Sequence, residues 1–350
     1  MTRSSAGFPG FSIACGVDDD PENAALAVTR ASASTLWAVG RFLPREKRRL
    51  FEAAYATMRI VDDLVDDGFL AAPPAVRDRE RQAVRTAVDD WLARCRAALA
   101  GTAWRAAPAG AGGASDPLLA AGAGPLYDAL TQAARAGGPG DRAWRLLAGA
   151  MRRDAAERPI DDWPDFLSYC EGATVAPAAV FLFVLTARAQ DGRLASTLDE
   201  EALFDAARPM ALFCYLVHIL RDLAKDAPRG GQLVTLPADL LAAHGLTREA
   251  VAAAVAARAP EALGLAADLA GRAAAYRAET EAVRERLAPD LGPRERAILA
   301  ALTTVYARLH DGLAAAPERA LDPQAAAGKG EAAAVFAAEG LTPDLVEPGA

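Results

Sequence analysis

Apolar positions recur at helical spacing along most of the chain. In LPREKRRLFEAAYATMRIVDDLVDD, residues 43–67, they fall at 50, 54, 58, 61 and 65, the period of one buried helix face, and a proline stands just before the run. The same spacing predicts a helix from ENAALAV at 22 to about Arg41 and another through RQAVRTAVDDWLARCRAALA at 81–100. Further helices are predicted from Pro117 to about Ala155. DDWPDFLSYCEGATVAPAAVFLFVLTARA, 161–189, reads as a short helix, a break near Pro177 and a very apolar helix. Residues 200–226 read as one long apolar helix, and two or three more close the pattern by about Leu313.

The interruptions have their own chemistry. GTAWRAAPAGAGGASDP at 101–117 and DAPRGGQLVTLP at 226–237 carry the Gly and Pro of loops. Residues 1–20 read as a flexible arm, 21–315 as a single all-α helical domain, and 316–350, rich in Ala, Gly and Pro, as a mobile tail. No repeat, P-loop, dinucleotide fingerprint or serine elbow is legible.

Composition agrees with the helical reading. Hydrophobic residues make up 52% and aromatics only 6%, with alanine the commonest residue. A net charge of −8 argues against a nucleic-acid partner. The four cysteines have no metal-knuckle spacing and suit a reducing cytosol. The longest apolar run, 175–187, is shorter than the about 20 residues of a transmembrane helix, so no transmembrane segment is expected. Peripheral association with a membrane and the oligomeric state stay open.

Two acidic stripes change the picture. Asp62 and Asp66 continue a line through Phe51 and Tyr55, with Asp63 and Asp67 expected nearer solvent. Like charges four residues apart weaken a helix, so such a cluster asks for a reason. In the second stripe Tyr215, His218, Asp222 and Asp226 form one polar seam on a helix apolar all round. A buried carboxylate needs a partner. One DxxxD is common on a solvated face. Two of them, one inside a buried helix, point to Mg²⁺ held by carboxylate pairs on facing helices and completed by phosphate oxygens. Arg59, Arg221, Lys225 and Arg229 lie beside them and could neutralise a diphosphate. Taken singly, His218 or Tyr215 would more often be a hydrogen-bonded core residue.

LPREKRRLFEAAYATMRIVDDLVD (43–66), SYCEGATVAP (168–177) and YLVHILRDLAKDAPRGGQLVTLP (215–237) together resemble the signatures of the squalene/phytoene synthase family. The resemblance spans about residues 25–310. It implies an isoprenoid-synthase-type helical bundle with a central cavity, and a prenyltransferase joining two farnesyl or geranylgeranyl diphosphates head to head through a cyclopropyl intermediate. It also implies two or three Mg²⁺ ions on Asp62, Asp66, Asp222 and Asp226, and a carotenoid or hopanoid type of product. Tyr55, Arg59, Tyr169, Arg221, Lys225, Arg229 and Thr35 would bind substrate, and His218 and Tyr215 would join the catalytic group. Whether NADPH takes part is undetermined.

The departures lie between the carboxylates. The family's Gln is Tyr215, its Asn is His218, and its early Ser is Thr35. They keep open a divergent enzyme that ionises a prenyl diphosphate toward another transfer, cyclisation or hydrolysis. A non-catalytic protein on this fold is disfavoured because all four aspartates are present. A His beside carboxylates is expected to be protonated readily, which predicts a pH dependence near neutrality.

Overall fold

Asp20 starts the first helix. Its carboxylate accepts the N–H groups of Glu22 and Asn23, and Pro21 occupies a position that needs no donor. The structure, a computed structural model, describes residues 19–106, 116–229, 235–323 and 329–341. The chain is all-α, with one two-stranded hairpin among the described residues. The helices are α1 (Pro21–Ala31), α2 (Thr35–Gly40), α3 (Arg45–Asp63), α4 (Pro74–Leu99), α5 (Pro117–Ala120), α6 (Gly124–Arg135), α7 (Arg142–Ala155), α8 (Trp163–Cys170), α9 (Ala176–Thr186), α10 (Glu200–Asp226), α11 (Ala238–Ala243), α12 (Val251–Ala256), α13 (Pro260–Leu287), α14 (Pro293–Ala315) and α15 (Lys329–Ala338).

The chain divides into two compact units. One comprises the described parts of Met1–Gly40, Pro44–Arg158 and Ala179–Glu200; the other those of Arg41–Leu43, Pro159–Ala178 and Glu201–Ala350. In the first, α1, α3 and α6 pack together, and α4 packs on α6 and α7. Thr57 of α3 is its polar hub. The Trp91 indole N–H donates to the Thr57 carbonyl at 2.8 Å, and Trp144 donates to its hydroxyl at 3.3 Å. Both indoles are completely buried, so each N–H needs such a partner. This hub lies just before Arg59 and Asp62. Gly40 is required by contact: a Cβ there would stand 2.4 Å from the Phe51 ring. In the second unit α13 packs on α12 and α14, and α15 rests on α14.

Four local readings of the sequence are corrected. The helix expected across 22–41 is two helices, because Ala33 turns left-handed at φ 47° and the Ser34 hydroxyl caps Trp37 N–H. The helix expected to run to 189 ends at Thr186. Residues Ala187–Gln190 and Arg193–Ser196 pair antiparallel across Asp191–Gly192, both at positive φ as a tight hairpin turn needs. That hairpin meets Gly137, where the Leu194 N–H donates to Ala136 O at 2.5 Å and a Cβ would collide with the Leu194 backbone. Third, no break occurs at Pro177. Residues Glu171–Val175 form a π-helical turn that joins α8 to α9 without a gap, and Pro177 follows directly after that turn inside the continuous helix. Last, α3 does not stay α-helical to Asp67: Leu64–Leu70 is π-helical.

Within the stretch read as a tail, Pro317–Leu321 and α15 are helical, with Ala320, Leu321, Val335 and Phe336 buried. Residues 1–18 of the expected arm lie outside the described residues. The helices Trp163–Thr186 and Glu200–Asp226 are long and apolar enough to cross a membrane, yet 78% and 67% of their apolar windows are buried inside the protein. The sequence understated the first of these because the π turn makes it continuous with α8.

Candidate active site

The first acidic stripe belongs to the first unit. Asp62 and Asp63 end α3, and Asp66 and Asp67 ride on the π turn, anchored by buried Leu64, Val65 and Phe69. The Arg81 guanidinium lies over the Phe69 ring at 5.6 Å. Arg59 bridges back to two carboxylates, with Nη1 3.0 Å from Asp62 Oδ2 and Nη2 against Asp63 Oδ1. The expected division into an inner and an outer pair does not hold. Asp62 and Asp63 side chains are 33% and 30% exposed, and Asp66 and Asp67 are both exposed. The π turn and the shared Arg59 set these positions, not α-helical projection.

Their electrostatics differ from those of isolated acids. Loss of hydration raises Asp62, with Asp63 and Asp67 adding to it against Arg59. Although water reaches Asp66, the protein packed around it holds its carboxyl well above the usual range, and Asp62 and Asp154 push it the same way. This is a stripe short of positive charge.

Tyr55 stacks on Phe51 at 5.5 Å and donates to Ser34 Oγ at 2.9 Å. The hydroxyl beside Tyr55 is thus that of Ser34, which the sequence reading passed over for its neighbour Thr35. Thr35 begins α2 and is half-buried. The Ser-x-x-Trp capping pattern was the available signal.

The second stripe belongs to the second unit, on α10. The Tyr215 ring stacks on Phe166 of α8 at 6.0 Å, and its hydroxyl meets Thr235 Oγ1 at 3.3 Å. His218 Nε2 shares a 2.6 Å hydrogen bond with the Tyr306 hydroxyl of α14. Asp222 is gripped by Arg221, Nε to Oδ1 at 3.0 Å and Nη2 to Oδ2 at 2.6 Å. Burial works against the charge of Asp222, but Arg221 and Lys225 outweigh it and hold the carboxyl below the usual range. Asp226 is half-buried and Lys225 exposed; the side chain of Arg229 lies outside the described residues. Tyr169 is buried at the end of α8, just before the π turn that Glu171 ties to Arg208 Nε at 2.5 Å.

The expected protonation of His218 is reversed. Burial pushes it down to about 4, the Arg221 charge adds to this, and Asp222 only partly offsets them. The sequence placed carboxylates near the imidazole but could not show that Arg221 faces it too. Nor did it reveal Tyr306, which is 88 residues away and has no local signature.

No group of three or more His, Cys, Asp or Glu side chains that could hold a metal ion forms among the described residues. An ion held by either pair would therefore draw its remaining ligands from water or substrate, as Mg²⁺ readily does. The first pair fits a hard cation, since burial and neighbouring carboxylates raise both Asp62 and Asp66 and Arg59 offsets them only in part. The second fits as a weaker contributor, because Asp222 already carries Arg221.

The squalene/phytoene synthase profile matches residues 29–330, which contain both stripes. The chain belongs to the squalene/phytoene synthase family. It is a prenyltransferase of that family, with head-to-head prenyl transfer as its general reaction. Among solved structures, squalene synthase HpnC from Alicyclobacillus acidocaldarius superposes with a TM-score of 0.61 at 20% identity, covering 85% of this chain and 95% of that one. A dehydrosqualene synthase in complex with ligand gives 0.65 at 15% identity, covering 91% and 95%. At such identities the likeness shows the squalene/phytoene synthase fold alone. No curated protein matches the chain.

Proposed function

We propose that this family member condenses two allylic diphosphates, farnesyl or geranylgeranyl, head to head in a Mg²⁺-dependent reaction. The observation that carries the reading is that both aspartate pairs are kept, on helices, within the family-matched span. Asp62, Asp66, Asp222 and Asp226 would hold Mg²⁺. When bound, it supplies Lewis-acid neutralisation of the leaving diphosphate.

The chain's own residues do the rest. Arg59 and Arg221 already lie against carboxylates, so they are oriented to take phosphate oxygens, with Lys225 and Arg229 adding charge. Tyr55, held by Ser34, and Tyr169 would border the diphosphate, with Thr35 nearby. Departure of diphosphate breaks the allylic C–O bond and leaves a cation. The double bond of the second prenyl chain attacks it, and proton loss closes the cyclopropyl ring. A second ionisation and rearrangement then lead to a phytoene-type product by proton loss, or a squalene-type product if NADPH delivers hydride. The buried apolar run Ala178–Leu185 would keep water from the cations. Tyr215 and His218 sit where the family has amides, and would steer the cation or the terminating proton. We place the enzyme in the cytoplasm, with association at a membrane surface as the route to its apolar product.

One observation favours a second reading. Tyr215 and His218 are tied to Thr235 and Tyr306. They present an aromatic hydroxyl and an imidazole in place of amides, which suits a different fate for the first cation. Incubating the purified protein and Mg²⁺ with each diphosphate, then identifying products by mass spectrometry, tests both. A C30 or C40 head-to-head hydrocarbon supports the first reading. Prenyl alcohol or a cyclised monomer supports the second. No diphosphate release with either substrate overturns both.

A further inference from the structure

A groove in the second unit lies apart from these residues. It is lined from α13 by Arg277, Thr280, Glu281 and Arg284, from α14 by Thr303, Thr304, Ala307, Arg308 and Asp311, and by Phe213, around about 550 Å³ of space partly open to solvent. On each helix the lining positions repeat at three and four residues, so they form one face. Tyr306, the partner of His218, is not among the groove's residues.

The charges in the groove are unevenly committed. Arg277 takes both acids, Nη1 to Asp311 Oδ1 at 2.5 Å and Nε to Glu281 Oε1 at 3.4 Å. Among the described residues Arg284, Arg308 and the Thr304 hydroxyl have no ion-pair or hydrogen-bond partner. Thr280 and Thr303 spend their hydroxyl hydrogens on backbone carbonyls of their own helices. Two unspent guanidinium forks and a free hydroxyl thus line a concave face on which three arginines stand against two carboxylates, both of them in contact with Arg277. That is the donor set for a tetrahedral oxyanion, with Phe213 and Ala307 beside it for an apolar attachment. A cation is disfavoured because Glu281 and Asp311 are occupied.

We propose that this groove binds a phosphate group, separately from the prenyl diphosphate site. The phosphate belongs to a soluble organic phosphate or to a lipid headgroup. The recognition chemistry is the same for both, and the experiment separates them.

Equilibrium dialysis with radiolabelled inorganic phosphate is run in EDTA, without prenyl substrate, so the catalytic carboxylates hold no cation. Wild type is expected to bind saturably, with affinity falling as salt rises. The double variant Arg284→Ala/Arg308→Ala should lose at least tenfold. Arg308→Glu, a single change at an exposed position, should do the same if the double variant folds poorly. Arg272→Ala removes a guanidinium that lies over Trp163 and pairs with Asp268, and should leave binding unchanged. In parallel, sedimentation with phosphatidylcholine vesicles, plain or containing phosphatidic acid, reads the lipid source. Binding to phosphatidic acid vesicles alone, lost in the same variants, assigns the headgroup. Absence of both kinds of binding, or binding unchanged in the variants, overturns the proposal. Prenyl turnover should be unaltered in Arg308→Glu, and a loss of turnover would overturn the separateness of the two sites.

Discussion

His218 should report its surroundings through stability. Its folded pKa, about 4, lies below the ordinary value of 6.5. Between those values the unfolded chain holds more protons than the folded one, so stability present above about pH 6.5 is lost as pH falls toward 4. A depression of that size removes about 2 kcal/mol between pH 7.5 and pH 5. The imidazole is only half-buried, so about 1–2 kcal/mol is the expected loss. The assay is urea unfolding of wild type and His218→Asn at both pH values, in EDTA so that no cation intervenes. Other groups titrate in the same range, and the difference between the two proteins isolates residue 218. Wild type should lose about 1–2 kcal/mol more than the variant on acidification. Equal losses, or a wild type that gains relative to the variant, would mean that the imidazole accepts a proton near neutrality and that Arg221 does not face it. Turnover follows from the same neutrality: wild type and His218→Asn should share their pH–rate limbs between pH 6 and 8, and any difference between them should lie in the products.

The two acidic stripes should separate in the same way. Asp62→Asn and Asp222→Asn should each abolish Mg²⁺-dependent diphosphate release in a pyrophosphate assay, whereas without metal Asp62→Asn should not weaken the fold, because it relieves a raised carboxyl, and Asp222→Asn should cost about 1 kcal/mol by stripping Arg221 of its partner. Full turnover in either variant, or in EDTA, would remove that carboxylate from the mechanism. Glu52 is pushed up to about 7 by burial, with Arg48 opposing, so its ionisation costs stability as pH rises from about 4.5 through 7. Glu52→Gln should therefore be about 1–3 kcal/mol more stable than wild type at pH 8, with the gain gone at pH 4.5, and thermal unfolding at the two pH values checks it. Arg94 and Asp116 form an ion pair at 2.8 Å with side chains 6% and 8% exposed, so Arg94→Leu should cost about 3 kcal/mol in denaturant unfolding by leaving Asp116 buried without a counter-charge, held only by the Leu118 and Leu119 N–H groups.

The sequence by itself determined the helical class, the approximate course of most helices and the spacing of both aspartate pairs. A 3.6-residue period is a local property, and so is a DxxxD spacing. Even the hairpin was legible in Asp191–Gly192, although the apolar run before it masked the signal. What the sequence could not decide was which charges meet. Asp62 and Asp222 occupy equivalent places in similar motifs, yet one carboxyl is raised and the other lowered. The difference arises because burial, with Asp63 and Asp67 beside it, outweighs an Arg59 that Asp62 shares with Asp63, while Arg221 is given wholly to Asp222 and outweighs the burial there. His218 went from an expected cation to a neutral imidazole because packing buries the ring, and Arg221 adds to the effect against Asp222. The π turns at 64–70 and 171–175 also belong to the tertiary level, since each rests on packing contributed by another helix, Arg81 over Phe69 in one and Arg208 against Glu171 in the other. Electrostatic energies depend on distances between groups remote in sequence, and those distances exist only after the chain has packed.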